Sequence, residues 1–153
     1  MEVHSPFTHI LVPTDGSENS AHAGRLAIQM ANLHSARMTL LYVVDSAIVD
    51  EIASATAKST DAIQKELEDK GQRYLDYLAR LADESVQVEQ VIRHGIPYRE
   101  IADLARERWV NLIVIGRVGC RGPRCALIGS VAERVIEYAP CPVLVVTQGP
   151  ARG

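Results

Sequence analysis

The stretch Leu112-Ile113-Val114-Ile115-Gly116-Arg117-Val118-Gly119-Cys120-Arg121-Gly122-Pro123-Arg124-Cys125-Ala126-Leu127-Ile128-Gly129-Ser130-Val131 decides the fold. It opens as a continuous apolar run without alternation, the pattern of a strand buried on both faces of a parallel sheet. It breaks at Gly116 into a loop with Gly119, Gly122, Pro123 and three arginines, and a helix starts at Gly129-Ser130. Strand, glycine-rich loop and helix N-terminus are the parts of a phosphate cradle. Glycines admit an anion close to the backbone, and the helix start offers unpaired N–H groups at the positive end of its dipole. Ser130 and Glu133 have the Ser-x-x-Glu spacing of a capping box.

Working outward, the chain alternates strands and helices. His9 to Val12 reads as a short buried strand closed by the turn cluster Pro13-Thr14-Asp15-Gly16-Ser17. A helix from Ser17 carries Ala23, Leu26, Ala27, Met30 and Leu33 on its apolar face. Thr39 to Val44 is a second buried strand, ending at Asp45. Ser46 to Thr60, rich in Ala, Ser and Thr, reads as a mobile connection with room for a turn of helix. Ile63, Leu67, Tyr74, Leu78 and Leu81 then recur at helical spacing. Val86 to Ile92 has the polar, imperfect alternation of an edge strand, and His94-Gly95-Ile96-Pro97 turns the chain into a helix striped by Ile101, Leu104, Ala105 and Trp109. A last helix presents Val131, Val135 and Tyr138 and stops at Pro140 and Pro142, before the strand Val143 to Val146. Five strands alternating with four helices predict an α/β fold: a doubly wound, open, parallel five-stranded sheet of order 3-2-1-4-5 with helices on both faces. That order puts the ends of strands one and four, at Asp15 and Gly116, side by side where such sheets bind ligands.

Composition narrows the function classes. The 153 residues are 47% hydrophobic and 23% charged, the balance of one globular domain spanning 1–153. A net charge of −3 argues against a nucleic-acid partner. No apolar run approaches the roughly 20 residues of a membrane helix, and the start lacks a signal-peptide pattern, so a cytoplasmic protein without membrane association is expected. Three cysteines without metal spacing fit a reducing compartment. Cys141, between prolines, reads as an inert, partly buried thiol. Cys120 and Cys125 lie near arginines that lower a thiol's pKa, which leaves a redox role open beside a bystander role. No histidine grouping suggests a metal site.

The chain resembles the universal stress protein family along nearly its whole length. The resemblance is carried by Ile-Leu-Val-Pro-Thr-Asp-Gly-Ser (10–17), Leu-Leu-Tyr-Val-Val-Asp (40–45), His-Gly-Ile-Pro (94–97), Gly-Ser-Val-Ala-Glu-Arg-Val (129–135) and Ala-Pro-Cys-Pro-Val-Leu-Val-Val (139–146). Most specific is Gly116-x2-Gly119-x9-Gly129-Ser130, the spacing of the family's ATP-binding branch. The resemblance implies that Pro13, Asp15 and Val43 line an adenosine pocket and that Gly116 lies against the ribose. It further implies that Gly119, Gly129, Ser130 and Val131 hold the phosphates. Thr14, in the same turn, and Arg117, beside the glycine loop, complete the candidate binding residues. Within the loop, two cysteines and a proline stand where the family usually carries small polar or basic residues.

Asp15 either forms the turn or contacts ribose, adenine or a metal on the phosphates. The arginines at 117, 121 and 124 supply electrostatic help to the cradle or are solvated loop charges. No nucleophile elbow, Walker A sequence or base–lysine set is present, so no catalytic residue is assigned. The expectation is a cytosolic stress-response regulator that binds ATP, or AMP or ADP, with Mg²⁺ through the phosphates and an unidentified regulatory protein partner. A homodimer through Val143–Val146 is expected, because an apolar edge strand invites pairing. Two alternatives remain: a dimeric interaction module of the same fold that binds no nucleotide, and a slow ATPase.

Overall fold

The computed structural model describes residues 4–117 and 128–147. Its central strand, β1 (His9–Pro13), lies between β2 (Arg37–Asp45) and β4 (Leu112–Gly116), with β3 (Val88–Gly95) and β5 (Val143–Val146) at the edges. The order is β3-β2-β1-β4-β5 and every pairing is parallel, as expected from the sequence. The crossovers are α1 (Glu18–His34), α2 (Ser46–Ala55), α3 (Thr60–Leu81), α4 (Pro97–Glu107) and α5 (Ser130–Tyr138).

Helices on both faces explain the unbroken apolar strands, because alternate side chains enter two separate cores. On one face Ile10, Val12, Leu40 and Val114 pack with Ala23 and Ala27 of α1 and Leu75 and Leu78 of α3. On the other, Leu11, Leu41, Ile113 and Ile115 pack with Ile101 and Leu104 of α4 and Ala132 and Val135 of α5. Each fully buried aliphatic side chain contributes about 1.5–3 kcal/mol relative to exposure.

Several sequence expectations need correction. The Ser46–Thr60 connection contains the ten-residue helix α2, so there are five described helices rather than four. Asp45 supplies the nucleus: its carboxylate accepts from the Ala47 N–H at 3.0 Å and caps α2 directly at the end of β2. α1 lies on the sheet along Ser20, Ala23, Gly24, Ala27, Ile28 and Ala31, a stripe of mostly small residues that allows close approach, and Leu33 is left 83% exposed. Trp109 is 86% exposed. It occupies a left-handed position just past α4 (φ 53°), where its N–H bonds the Arg106 carbonyl and that of Val110 bonds the Ala105 carbonyl. This is the Schellman closure, and it turns the residue after the cap away from the helix stripe. Leu81 and Tyr138, at helix ends, are also largely exposed. β3 extends through His94 and Gly95 before the chain turns.

β3 has the polar edge expected of it. Arg93 pairs with Glu107 and Glu100, Glu89 with Arg108, and His94 with Glu68. At the opposite end of the sheet from the strand carboxyl ends, His9 is buried between two partners. Its Nδ1 donates to the Arg108 carbonyl at 3.0 Å, so its Nε2 accepts from the Thr39 hydroxyl at 2.7 Å. Burial holds the His9 pKa below its ordinary value. Among the described residues, no helix is long and apolar enough to cross a membrane.

Candidate functional site

A cavity of about 470 Å³ opens over the carboxyl ends of β1, β2 and β4, the position the topology selects for a ligand. Its β1 side is built by the turn after Pro13. The Thr14 N–H continues the sheet by bonding the Leu41 carbonyl at 2.8 Å, and its hydroxyl is buried. Ser20 spends its own hydroxyl proton on the Ser17 carbonyl at 2.9 Å, so Thr14 donates to Ser20 Oγ at 3.0 Å and accepts from the Gly16 N–H at 3.1 Å. Asp15 accepts from the Ser17 N–H at 2.9 Å, closing an Asx turn, and the residue also lines the cavity. The turn-forming and ligand-facing readings of Asp15 are therefore compatible. Gly16 adopts φ +84°, and the Tyr74 ring fills the space a side chain there would need.

On the β4 side, Gly116 meets the first turn of α1. A Cβ at Gly116 would stand 2.6 Å from the Asn19 carbonyl oxygen, so glycine is required by packing. The Arg117 N–H bonds the Val146 carbonyl at 2.9 Å, which ties that residue to β5. The helix that follows differs from the expected capping box. The Gly129 carbonyl accepts the Glu133 N–H at 3.0 Å, so Gly129 is the N-cap and Ser130 the first helical residue. Glu133 then falls one position too late to reach back, and among the described residues no side chain caps α5. A helix start without a side-chain cap leaves N–H donors free to meet an anion.

The structure brings six of the sequence-expected residues together around the cavity: Pro13, Thr14, Asp15, Val43, Gly116 and Val131. Gly129 and Ser130 adjoin it through Val131 without lining it, and Arg117 does not line it. Gly119, with Cys120, Arg121, Gly122, Pro123, Arg124 and Cys125, lies outside the described residues. Sequence reasoning missed Ser20, Tyr42, Asp45, Lys70, Pro97 and Ile101, and the wall formed by Ile48, Ile52 and Leu67. The available signal was helical spacing, since Ile48 and Ile52 are four apart and Leu67 and Lys70 three apart. Burial, reinforced by Tyr74 and Asp15, raises the Tyr42 pKa and keeps this phenol neutral. Cys141 is partly buried, and burial likewise pushes its thiol up, away from the reactive thiolate.

The model of the universal stress protein family matches residues 6–147. The chain belongs to the universal stress protein family. A universal stress protein of Methanocaldococcus jannaschii is 37% identical over 141 residues, covering 92% of this chain and 82% of the relative. The solved universal stress protein UspA from Lactobacillus plantarum superposes with a TM-score of 0.69 at 31% identity, covering 92% of this chain and 97% of its own. A universal stress protein solved in complex with cAMP shares the fold, with a TM-score of 0.71 at 23% identity and coverage of 93% and 98%.

Proposed function

We propose that this family member binds an adenine nucleotide, ATP first among them, and serves as a cytoplasmic stress-response regulator that reports nucleotide to a protein partner. One observation carries the reading: the 470 Å³ cavity at the strand ends meets Val131 in the first turn of α5, a helix start that no side chain among the described residues caps. Apolar walls suit a nucleoside, and the free N–H groups suit its phosphates. The Gly116-x2-Gly119-x9-Gly129-Ser130 spacing supports the same reading, as does a relative of the same fold solved with cAMP. Gly116 and Asp15 would face the ribose side, and Ser130 and Val131 the phosphates. Among the described residues no three His, Cys, Asp or Glu side chains gather as metal ligands, so Mg²⁺ would arrive on the phosphates. The reading requires no chemistry on the nucleotide.

The test is to release the ligand of the purified protein with acid, identify it by mass, and titrate the emptied protein with ATP, ADP and AMP. Adenine nucleotide in the extract, or calorimetric binding, supports the proposal. An empty extract with no heat from any of the three would leave the fold as a protein-interaction module.

A further inference from the structure

We propose that the outer edge of β3 is a strand-addition site for a protein partner, taking an extended segment with an Asp or Glu turned toward α3. The inference stands apart from the nucleotide reading, since no β3 residue lines the cavity. β3 is the last strand of the sheet, pairs only with β2 among the described residues, and keeps an unbroken register from Val88 to Gly95. In a parallel ladder, successive residues of a strand turn their N–H and C=O groups to opposite sides. The Gln87 carbonyl accepts the Met38 N–H at 2.9 Å, so Glu89, Val91 and Arg93 also face β2. Val88, Gln90, Ile92 and His94 therefore turn their N–H donors and C=O acceptors outward. These groups meet no partner among the described residues.

Edge strands are commonly blunted by proline, a bulge or a charge laid across the edge. β3 has neither proline nor bulge, and its polar side chains are drawn back onto the helices. On the α3 side the Gln72 amide donates to Gln90 Oε1 at 2.6 Å, His94 pairs with Glu68, and Val88 and Ile92 pack against the core. On the α4 side Glu89 pairs with Arg108, and Arg93 with Glu107. The backbone itself is left as the recognition surface, and an extended chain matches it. Gln90 also borders an open groove with Asp76, Ala79 and Arg80 of α3. The Asp76 carboxylate there is engaged by the Gln72 amide at 2.9 Å. Arg80 Nε donates to the Asp76 carbonyl at 3.3 Å, while its guanidinium makes no ion pair among the described residues. A carboxylate on the added strand fits that open fork. An antiparallel second copy of β3 would turn Val88, Gln90, Ile92 and His94 to the groove, none of them acidic, so the edge suits a different chain.

The experiment follows backbone amide shifts by NMR while a short capped peptide, alternating Thr and Val around a central Glu, is added to the parent. The amides of Val88, Gln90, Ile92 and His94 should move more than those of Glu89, Val91 and Arg93. The same peptide with Gln in place of Glu should bind about threefold more weakly, and Arg80→Gln should erase that difference. Gln90→Pro removes an outward N–H and spares the ladder to β2, so it should stay folded and weaken the peptide. A peptide N-methylated on alternate amides should not bind, which carries the same test if Gln90→Pro unfolds. A parent whose β3 amides do not move at millimolar peptide overturns the site. Equal affinity for the Glu and Gln peptides overturns the acidic partner. Shifts of the four outward amides on diluting the protein alone would give the edge to a second copy and overturn the proposal. None of these outcomes depends on whether the protein binds ATP.

Discussion

At the scale of single residues, the fold constrains two positions for reasons unrelated to a ligand. His9 is held neutral by burial. The carbonyl of Arg108 and the charge of Glu89 oppose that effect, and the charges of Arg37 and Arg108 add to it. The unfolded chain therefore binds a proton more readily than the folded one below about pH 6.5. Stability from this site is fully present above that value and is lost as pH falls toward the lower folded pKa. Glu89, whose carboxylate is held down by the hydrogen bond from Arg108, acts in the same direction but only from about 4.5 downward. A His9→Gln variant keeps a donor and an acceptor without titrating, so its urea midpoint should fall less than the parent's between pH 7.5 and 5.5. Equal slopes would place the loss at another group. The second position is Gly116, where the Asn19 carbonyl leaves no room for a methyl group. Gly116→Ala should cost about 1–3 kcal/mol by chemical denaturation, because the first turn of α1 must move.

At the scale of elements, the start of α5 separates stability from binding. Gly129 is an N-cap with extended backbone (φ −64°, ψ 155°), a position that welcomes aspartate. Gly129→Asp should therefore stay folded, with a gain of up to about 1 kcal/mol from the new cap and the helix dipole. It should nevertheless lose ATP, since its carboxylate takes the N–H groups and repels phosphate. Ser130→Ala, at a helical rather than a cap position, should leave stability within about 0.5 kcal/mol and weaken ATP only modestly. A folded Gly129→Asp that binds ATP like the parent would move the phosphates away from α5. The helix-start error has a simple cause: Gly129 and Ser130 are both acceptable caps, and only the carbonyl that the Glu133 N–H reaches distinguishes them. The strands and the turn at Pro13–Ser17 were legible because apolar runs and turn residues are local signals. α2 was not, because Ser46 to Ala55 is small and polar apart from Ile48, Val49 and Ile52, and its start depends on the Asp45 cap. Ile48 and Ile52 of the cavity wall were lost with it. Trp109 and Leu33 were misplaced because a stripe read along a helix does not show where the helix ends or how it is rolled on the sheet.

At the scale of the whole molecule, the two sheet edges differ. β3 is studded with ion pairs, whereas β5 is four residues of Val and Leu with Leu144 36% exposed. A short apolar edge suits pairing with its own copy about a two-fold axis. Val145 packs into the core behind β5, so charging it would test folding as much as association. Leu144 is the better probe. Leu144→Lys should place like charges near the axis and shift sedimentation at micromolar concentration from dimer toward monomer, with circular dichroism unchanged. A parent that sediments as a monomer at that concentration would refute the dimer.

The strand at the centre of the sheet finds its two neighbours at very different times. Ile10 pairs with Met38, but also with Leu112, more than a hundred positions later. As the chain leaves the ribosome, β1 and β2 emerge early, while the other flank of β1 stays uncovered until β4 has been synthesised. A nascent chain stalled after β1 has emerged but before Leu112 thus presents a largely apolar, unpaired strand flank, the kind of surface that chaperones engage and that nucleates aggregation.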